Sequence, residues 1–154
     1  MNSINPRFFD LEIYAIYKAV NEVMGEDTWR IVWRAGEILI EEVWEEAGLS
    51  STENVFEALE TLGTWLSRQG YVDNIEFRRV DEDTFEYIMS DPVITPGAKR
   101  LIEMGMVPPH ISTSAMFALL KRFGYSAEMI GDPVFMDDGR VLERWRIHSR
   151  EEQR

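Results

Sequence analysis

His110 and His148 are the chain's only histidines, and therefore its only imidazole ligands and its readiest proton shuttles near neutral pH. His110 follows Pro108-Pro109 and precedes Ile111-Ser112-Thr113-Ser114, which puts it at a pocket mouth near a helix N-terminus on a functional reading. His148 follows Trp145 and Ile147 at a strand end, where a solvated imidazole needs no further explanation. The Ser112-Thr113-Ser114 run beside His110 offers nucleophile types, but sequence adjacency is not triad geometry, and no Gly-x-Ser-x-Gly elbow occurs. Helix capping explains the run.

Arg34 and Gly36 are the next candidates. The planar guanidinium of Arg34 can hold a carboxylate through two parallel hydrogen bonds, whether that carboxylate belongs to a ligand or to a neighbouring Glu. Gly36 lies inside a helical pattern, where Gly costs about 1 kcal/mol against Ala; it makes room either for a crossing helix or for a ligand. The acidic groups Glu41-Glu42 and Asp81-Glu82-Asp83 lack calcium-loop spacing and read as solvated faces and turns. Zero Cys excludes disulfides, thiolate nucleophiles and Cys-based metal sites, and no phosphate-binding glycine motif is present. No metal and no cofactor is expected.

Charge and composition narrow the classes. A net charge of −12 lacks the clustered positive field that nucleic acids and anionic membranes attract. Thirteen of the sixteen basic residues are Arg, several in apolar stretches, which predicts buried or interface pairs with carboxylates. No run of about 18 apolar residues and no secretory leader is seen, so a cytoplasmic protein without membrane insertion is expected. With 154 residues, 45% of them hydrophobic, the chain reads as a single domain spanning 1–154, its polar tail from Ser149 to Arg154 frayed. Five Trp and eight Met fill an ordinary core, line a pocket or cover a subunit interface.

The elements that must carry these residues follow from periodicity. Helical spacing of apolar residues covers Phe8–Met24, about Trp29–Ala47, and a stretch containing Val55, Phe56, Leu59, Leu62 and Leu66. Caps are predicted at Asp10, at Asp27 or Thr28, and at Ser50-Ser51-Thr52. Alternation from Tyr71 to Met89 about Asp81-Glu82-Asp83 predicts a hairpin. A short helix over Ala98–Met104 and one capped by Ser112 or Ser114 follow. Tyr125–Met136 and Val141–Ile147 then flank Asp137-Asp138-Gly139 as a second hairpin. The result is an α+β fold, an antiparallel sheet of about four strands packed by about five helices. The turn-rich stretch Asp91–His110 is either a lid over a pocket or a connecting loop.

Gly25-Glu26 leading to Trp33-Arg34-Ala35-Gly36-Glu37, the Gly70–Met89 hairpin, and a final helix, Gly124 and hairpin together resemble the 4-vinyl reductase domain, a hydrocarbon-binding module. Its relatives look like the fold of haem nitric-oxide-binding domains and TRAPP subunits. Many members carry Cys in the terminal half; this chain has none, and it also lacks the Tyr-x-Ser-x-Arg signature of the haem proteins. The resemblance implies a pocket between helices and sheet, and Arg34 and Gly36 are the positions that match its motif. The remaining site residues are chosen by periodicity. Trp33, Phe56, Trp65, Met104, Met106 and Phe117 are expected to supply apolar area, with Arg34 and His110 orienting the polar end of a small apolar ligand. Two alternatives stand beside this module. One is a small enzyme using His110 or a buried Glu as acid-base; the other is a ligand-free interaction subunit that dimerises through the apolar face of Leu11–Met24. A homodimer is the expected assembly, and binding and dimerisation are compatible.

Overall fold

The computed structural model describes residues 2–150 as five α-helices and five strands. Helix α1 spans Pro6–Met24, α2 Thr28–Val43 and α3 Val55–Arg68; strands β1 (Asn74–Arg79) and β2 (Thr84–Ser90) form the first hairpin. Helices α4 (Thr95–Glu103) and α5 (Ile111–Arg122) lead to β3 (Tyr125–Met129), β4 (Val134–Phe135) and β5 (Arg140–Ser149). All pairings are antiparallel, in the order β1-β2-β5-β3, with β4 also on β5. β3 and β4 are two parts of one interrupted strand, the second half of the expected hairpin. They pair with opposite ends of β5 on either side of Ile130–Pro133, and the Asp137-Asp138-Gly139 turn closes them, Gly139 at φ 90°. Ser149 ends β5, and the Arg150 amide donates to the Gly124 carbonyl at 2.9 Å, so the start of the expected frayed tail is ordered; residues 151–154 lie outside the described residues.

The core forms where α2, α3 and α5 cover one face of the sheet. Ile40 and Val43, Leu59, Leu62 and Leu66, and Met116, Leu119 and Leu120 meet Tyr87 and Met89 of β2 and Val141 and Trp145 of β5. Each helix supplies apolar residues three and four apart, so one stripe faces the sheet. α2 and α5 cross most closely at Gly36. A Cβ built there would collide with the main chain of Ser114 and sit 2.7 Å from its Cβ. Gly36 therefore serves the helix crossing, not a ligand.

Asp27 holds the N-cap position of α2 as predicted, without a side-chain cap hydrogen bond, but the caps of α1 and α3 differ from those predicted. Asn5 opens α1, its side chain accepting from the Arg7 amide at 2.8 Å. Asn54 opens α3, accepting from Glu57 N–H at 3.0 Å, while Glu57 accepts at 3.1 Å from the N–H of Glu53, the residue before the cap; this variant of the capping box lies two residues beyond the Ser50-Ser51-Thr52 run. Asp10 is buried mid-helix and caps a different element: its Oδ1 accepts from Gly97 N–H in the first turn of α4 at 3.1 Å. Asn21, also buried, reads the backbone of Val107 like a strand partner, donating to its carbonyl at 2.9 Å and accepting from its N–H at 2.8 Å. Arg100 lies 4.1 Å from the Tyr14 ring centre. These three contacts make α1 the strap that holds the segment around α4 in place. Among the described residues no helix is long and apolar enough to cross a membrane.

Candidate functional site

Along β5, Val141, Glu143 and Trp145 point inward and are buried, while the intervening Leu142 and Arg144 are less so. A Glu in that inward series must be satisfied internally or its burial is very costly. Glu143 Oε1 accepts from Thr113 Oγ1 at 2.6 Å and from Trp145 Nε1 at 3.0 Å, and Oε2 lies 3.4 Å from His110 Nδ1. Glu143 Oε2 therefore faces the Nδ1 edge of the His110 ring. Among the described residues His110 is the only basic group within ion-pair distance of Glu143.

Hydroxyls extend this polar cluster. Ser112 Oγ donates to Met89 Sδ at 3.1 Å and lies beside the Tyr71 and Tyr87 phenols. Burial, with Glu143 adding to it, pushes both phenols well above their ordinary pKa. The Tyr87 hydroxyl is buried without a hydrogen-bond partner. Ser112 and Thr113 are therefore not helix caps: His110 occupies the N-cap position of α5 and the hydroxyls turn into the core. Ser114 Oγ donates to the Ile111 carbonyl at 3.2 Å.

His110, Glu143, Tyr71, Ser112 and Thr113 help to line a small cavity of about 40 Å³, whose remaining wall is largely apolar: Met89, Ile94, Ala98, Ile102, Ile111, Phe135 and Val141 among others. That volume holds a few waters at most; an apolar cavity of about 150 Å³ is needed for benzene, and pockets for drug-sized ligands measure about 300–1,000 Å³. Its roof is the α4 segment. Both ends of that segment carry strained backbone: Asp91 (φ 50°) and His110 (φ 44°) are the two non-glycine residues with positive φ among those described. Such conformations cost about 1–3 kcal/mol each and persist where surrounding structure enforces them. The larger concavities, about 640 Å³ between α3 and β1 and about 730 Å³ beside Asp81–Asp83, are open grooves away from this cluster.

Of the nine site residues expected from sequence, His110 alone lines the cavity. Trp33 and Phe117 stand near it in a stacked ladder, His110 on Trp29, Trp29 on Trp33 and Trp33 on Phe117, with ring centres 5.3–5.4 Å apart. Both also line an open groove of about 480 Å³ beside β3. Arg34 faces solvent and pairs with Glu37 and Glu41 of its own helix at 3.4 and 3.5 Å, so it takes the protein carboxylates and anchors no ligand in the cavity. Phe56 is half exposed against Phe85 at the start of β2. Trp65 packs on the margin of the core, Met104 is exposed after α4, and Met106 is half-buried beside the Asn21 clamp. His148 is half-buried, 4.0 Å from Asp83. Glu143, Thr113, Tyr71 and Trp29 went unnamed as site residues. The signal for Glu143 was its place between Val141 and Trp145 in an alternating strand; Tyr71 and Trp29 carried no comparable signal.

No protein-family model and no curated protein matches the chain. Solved structures do. A trafficking protein particle complex subunit 3 from Naegleria fowleri, covalently bound to palmitic acid, superposes with TM-score 0.65 at 12% identity, covering 96% of this chain and 98% of that one. A mutant Fe(II) unliganded H-NOX protein from K. algicida matches with TM-score 0.61 at 12% identity, over 99% of this chain and 78% of that one. An H-NOX mutant from T. tengcongensis gives 0.56 at 15%, over 97% and 77%. The chain therefore has the fold shared by TRAPP subunits and H-NOX domains. A haem of the kind distorted in the H-NOX family does not fit the residues here. The space beside His110 is about 40 Å³, Trp33 and Phe117 fill the gap between α2 and α5 by stacking, and Gly36 lets those helices close on one another.

Proposed function

We propose that the protein is a binding module for a small, largely apolar molecule, which enters beneath α4 and places its polar end at His110 and Glu143. The observation that carries this reading is the polar cluster within an otherwise largely apolar cavity beneath α4. A core built for stability alone gains little from a buried ion pair, because desolvation offsets most of the attraction. The α4 segment acts as the lid. It is bracketed by two strained residues and held down by side-chain contacts to α1, so displacing it needs few bonds broken. The fold neighbours support the reading, since one holds palmitic acid and another is an oxygen-binding H-NOX domain. Kinship with the 4-vinyl reductase module remains part of this proposal. Native mass spectrometry of freshly purified protein tests it: a reproducible excess mass lost on denaturation supports the module, and a clean apo spectrum that persists after incubation with octan-1-ol counts against it.

A second reading has its own observation. The side of α1 away from α4 leaves Phe8, Leu11, Ile16 and Val23 exposed, Val23 at 85%. Isolated apolar residues on a surface are ordinary, but a stripe along one helix fits a homodimer that buries it. The protein as an assembly subunit is compatible with ligand binding, because the exposed stripe and the cavity lie on different sides of α1. An acid-base enzyme would use the same His110–Glu143 pair.

A further inference from the structure

We infer that the site selects ligands with an uncharged polar head, an alcohol or a neutral carbonyl, and rejects carboxylates. The inference rests on the binding reading above and adds the chemistry of the head group. Glu143 is the carboxyl group at the polar end, buried at 3% exposure and already accepting from Thr113 and Trp145. Its one basic partner among the described residues, His110, faces it through Nδ1. A ligand carboxylate arriving here would bring a second carboxylate into the same low-dielectric space, with no Arg or Lys among the described residues that line it. Even with His110 protonated, two carboxylates would share one cation.

A hydroxyl meets no such barrier. It can hydrogen-bond to the His110 imidazole, and the Ser112 and Tyr71 hydroxyls, which also line the cavity, can rotate to complete the set. With zero Cys the chain has no thiol to carry an acyl group as a thioester.

Isothermal titration of the full chain with octan-1-ol, methyl octanoate and octanoate at pH 7.5 tests the inference. The two neutral probes are expected to bind saturably, and octanoate at least about tenfold more weakly, a difference of about 1.4 kcal/mol. In Glu143→Gln the gap between octanoate and methyl octanoate is expected to narrow; if that variant does not fold, the comparison on the natural chain decides alone. Octanoate binding as tightly as octan-1-ol overturns the head-group inference while the binding reading stands. Methyl octanoate failing alongside octanoate also overturns it, since size and not charge would be the discriminator. Failure of all three sinks the binding reading itself.

Discussion

Replacing Gly36 by Ala sets two effects of known sign against each other. In an exposed helix the change gains about 1 kcal/mol, because Gly has more backbone entropy to lose. At Gly36 the new methyl would overlap the Ser114 main chain and lie 2.7 Å from its Cβ, about 1 Å inside ordinary contact. Main chain cannot step aside as a flexible side chain does, so α2 and α5 must separate along their closest crossing. Overpacking of this kind costs about 1–3 kcal/mol and sometimes more. With α5 carrying Met116, Leu119 and Leu120 into the core, the upper end of that range applies, and the net loss is about 2 kcal/mol. For a chain of this length the Tm should fall by about 4–8 °C. Gly63→Ala is the internal control: its methyl meets Ile75 at 3.4–3.7 Å, ordinary contact, so propensity should prevail and stability stay level or rise by up to about 1 kcal/mol. Urea unfolding of both variants gives the comparison directly. Gly36→Ala proving as stable as Gly63→Ala would refute the helix-crossing argument and reopen Gly36 as a ligand contact.

Three further outcomes follow from other parts of the molecule. Asn21→Ala removes two hydrogen bonds to Val107 and should cost about 1–3 kcal/mol, with amide exchange quickening over residues 97–107 and little change in α3; uniform exchange would argue against a strap. Tyr71 and Tyr87 hold their protons more tightly folded than unfolded, so above about pH 10 the unfolded chain releases protons first and stability falls as pH rises. Tyr71→Phe should blunt that alkaline loss measured by denaturant midpoint from pH 9 to 11, and an unchanged slope would contradict the assignment. Ile16→Glu, on the exposed side of α1, should convert a dimer to monomer in sedimentation without lowering Tm, whereas a natural chain already monomeric would end the assembly reading.

Much of the fold was legible in the sequence because periodicity reports burial. The stripe Val55, Leu59, Leu62, Leu66 and the alternation Phe85, Tyr87, Met89 each fix an element and its inward face. Caps were less legible. Asp10 has the right chemistry for a helix start, yet tertiary contact directs it to α4, 87 residues away in sequence, and Asn5 and Asn54 took the caps instead. The site was legible only at His110. Aromatic type and helical spacing say that Trp33, Phe56, Trp65 and Phe117 bury area, but not against what, and the four end up in different surroundings. Arg34 illustrates the same limit, since Glu37 and Glu41 three and seven residues on satisfy it locally. Glu143 was readable in principle. A charged residue in the inward half of an alternating strand demands a partner, and Thr113, Trp145 and His110 are those partners.

Opening of the cavity beneath α4 to receive an apolar molecule is most directly measured by methyl NMR during titration with octan-1-ol. Ile94, Ile102, Ile111 and Met89 line the cavity, while Ile31 and Ile38 lie exposed on α2 and serve as references. Saturable shifts confined to the first four, with Ile31 and Ile38 unmoved, are expected. Unmoved cavity methyls, or shifts concentrated at the open groove beside Phe56 and His148, would contradict the account.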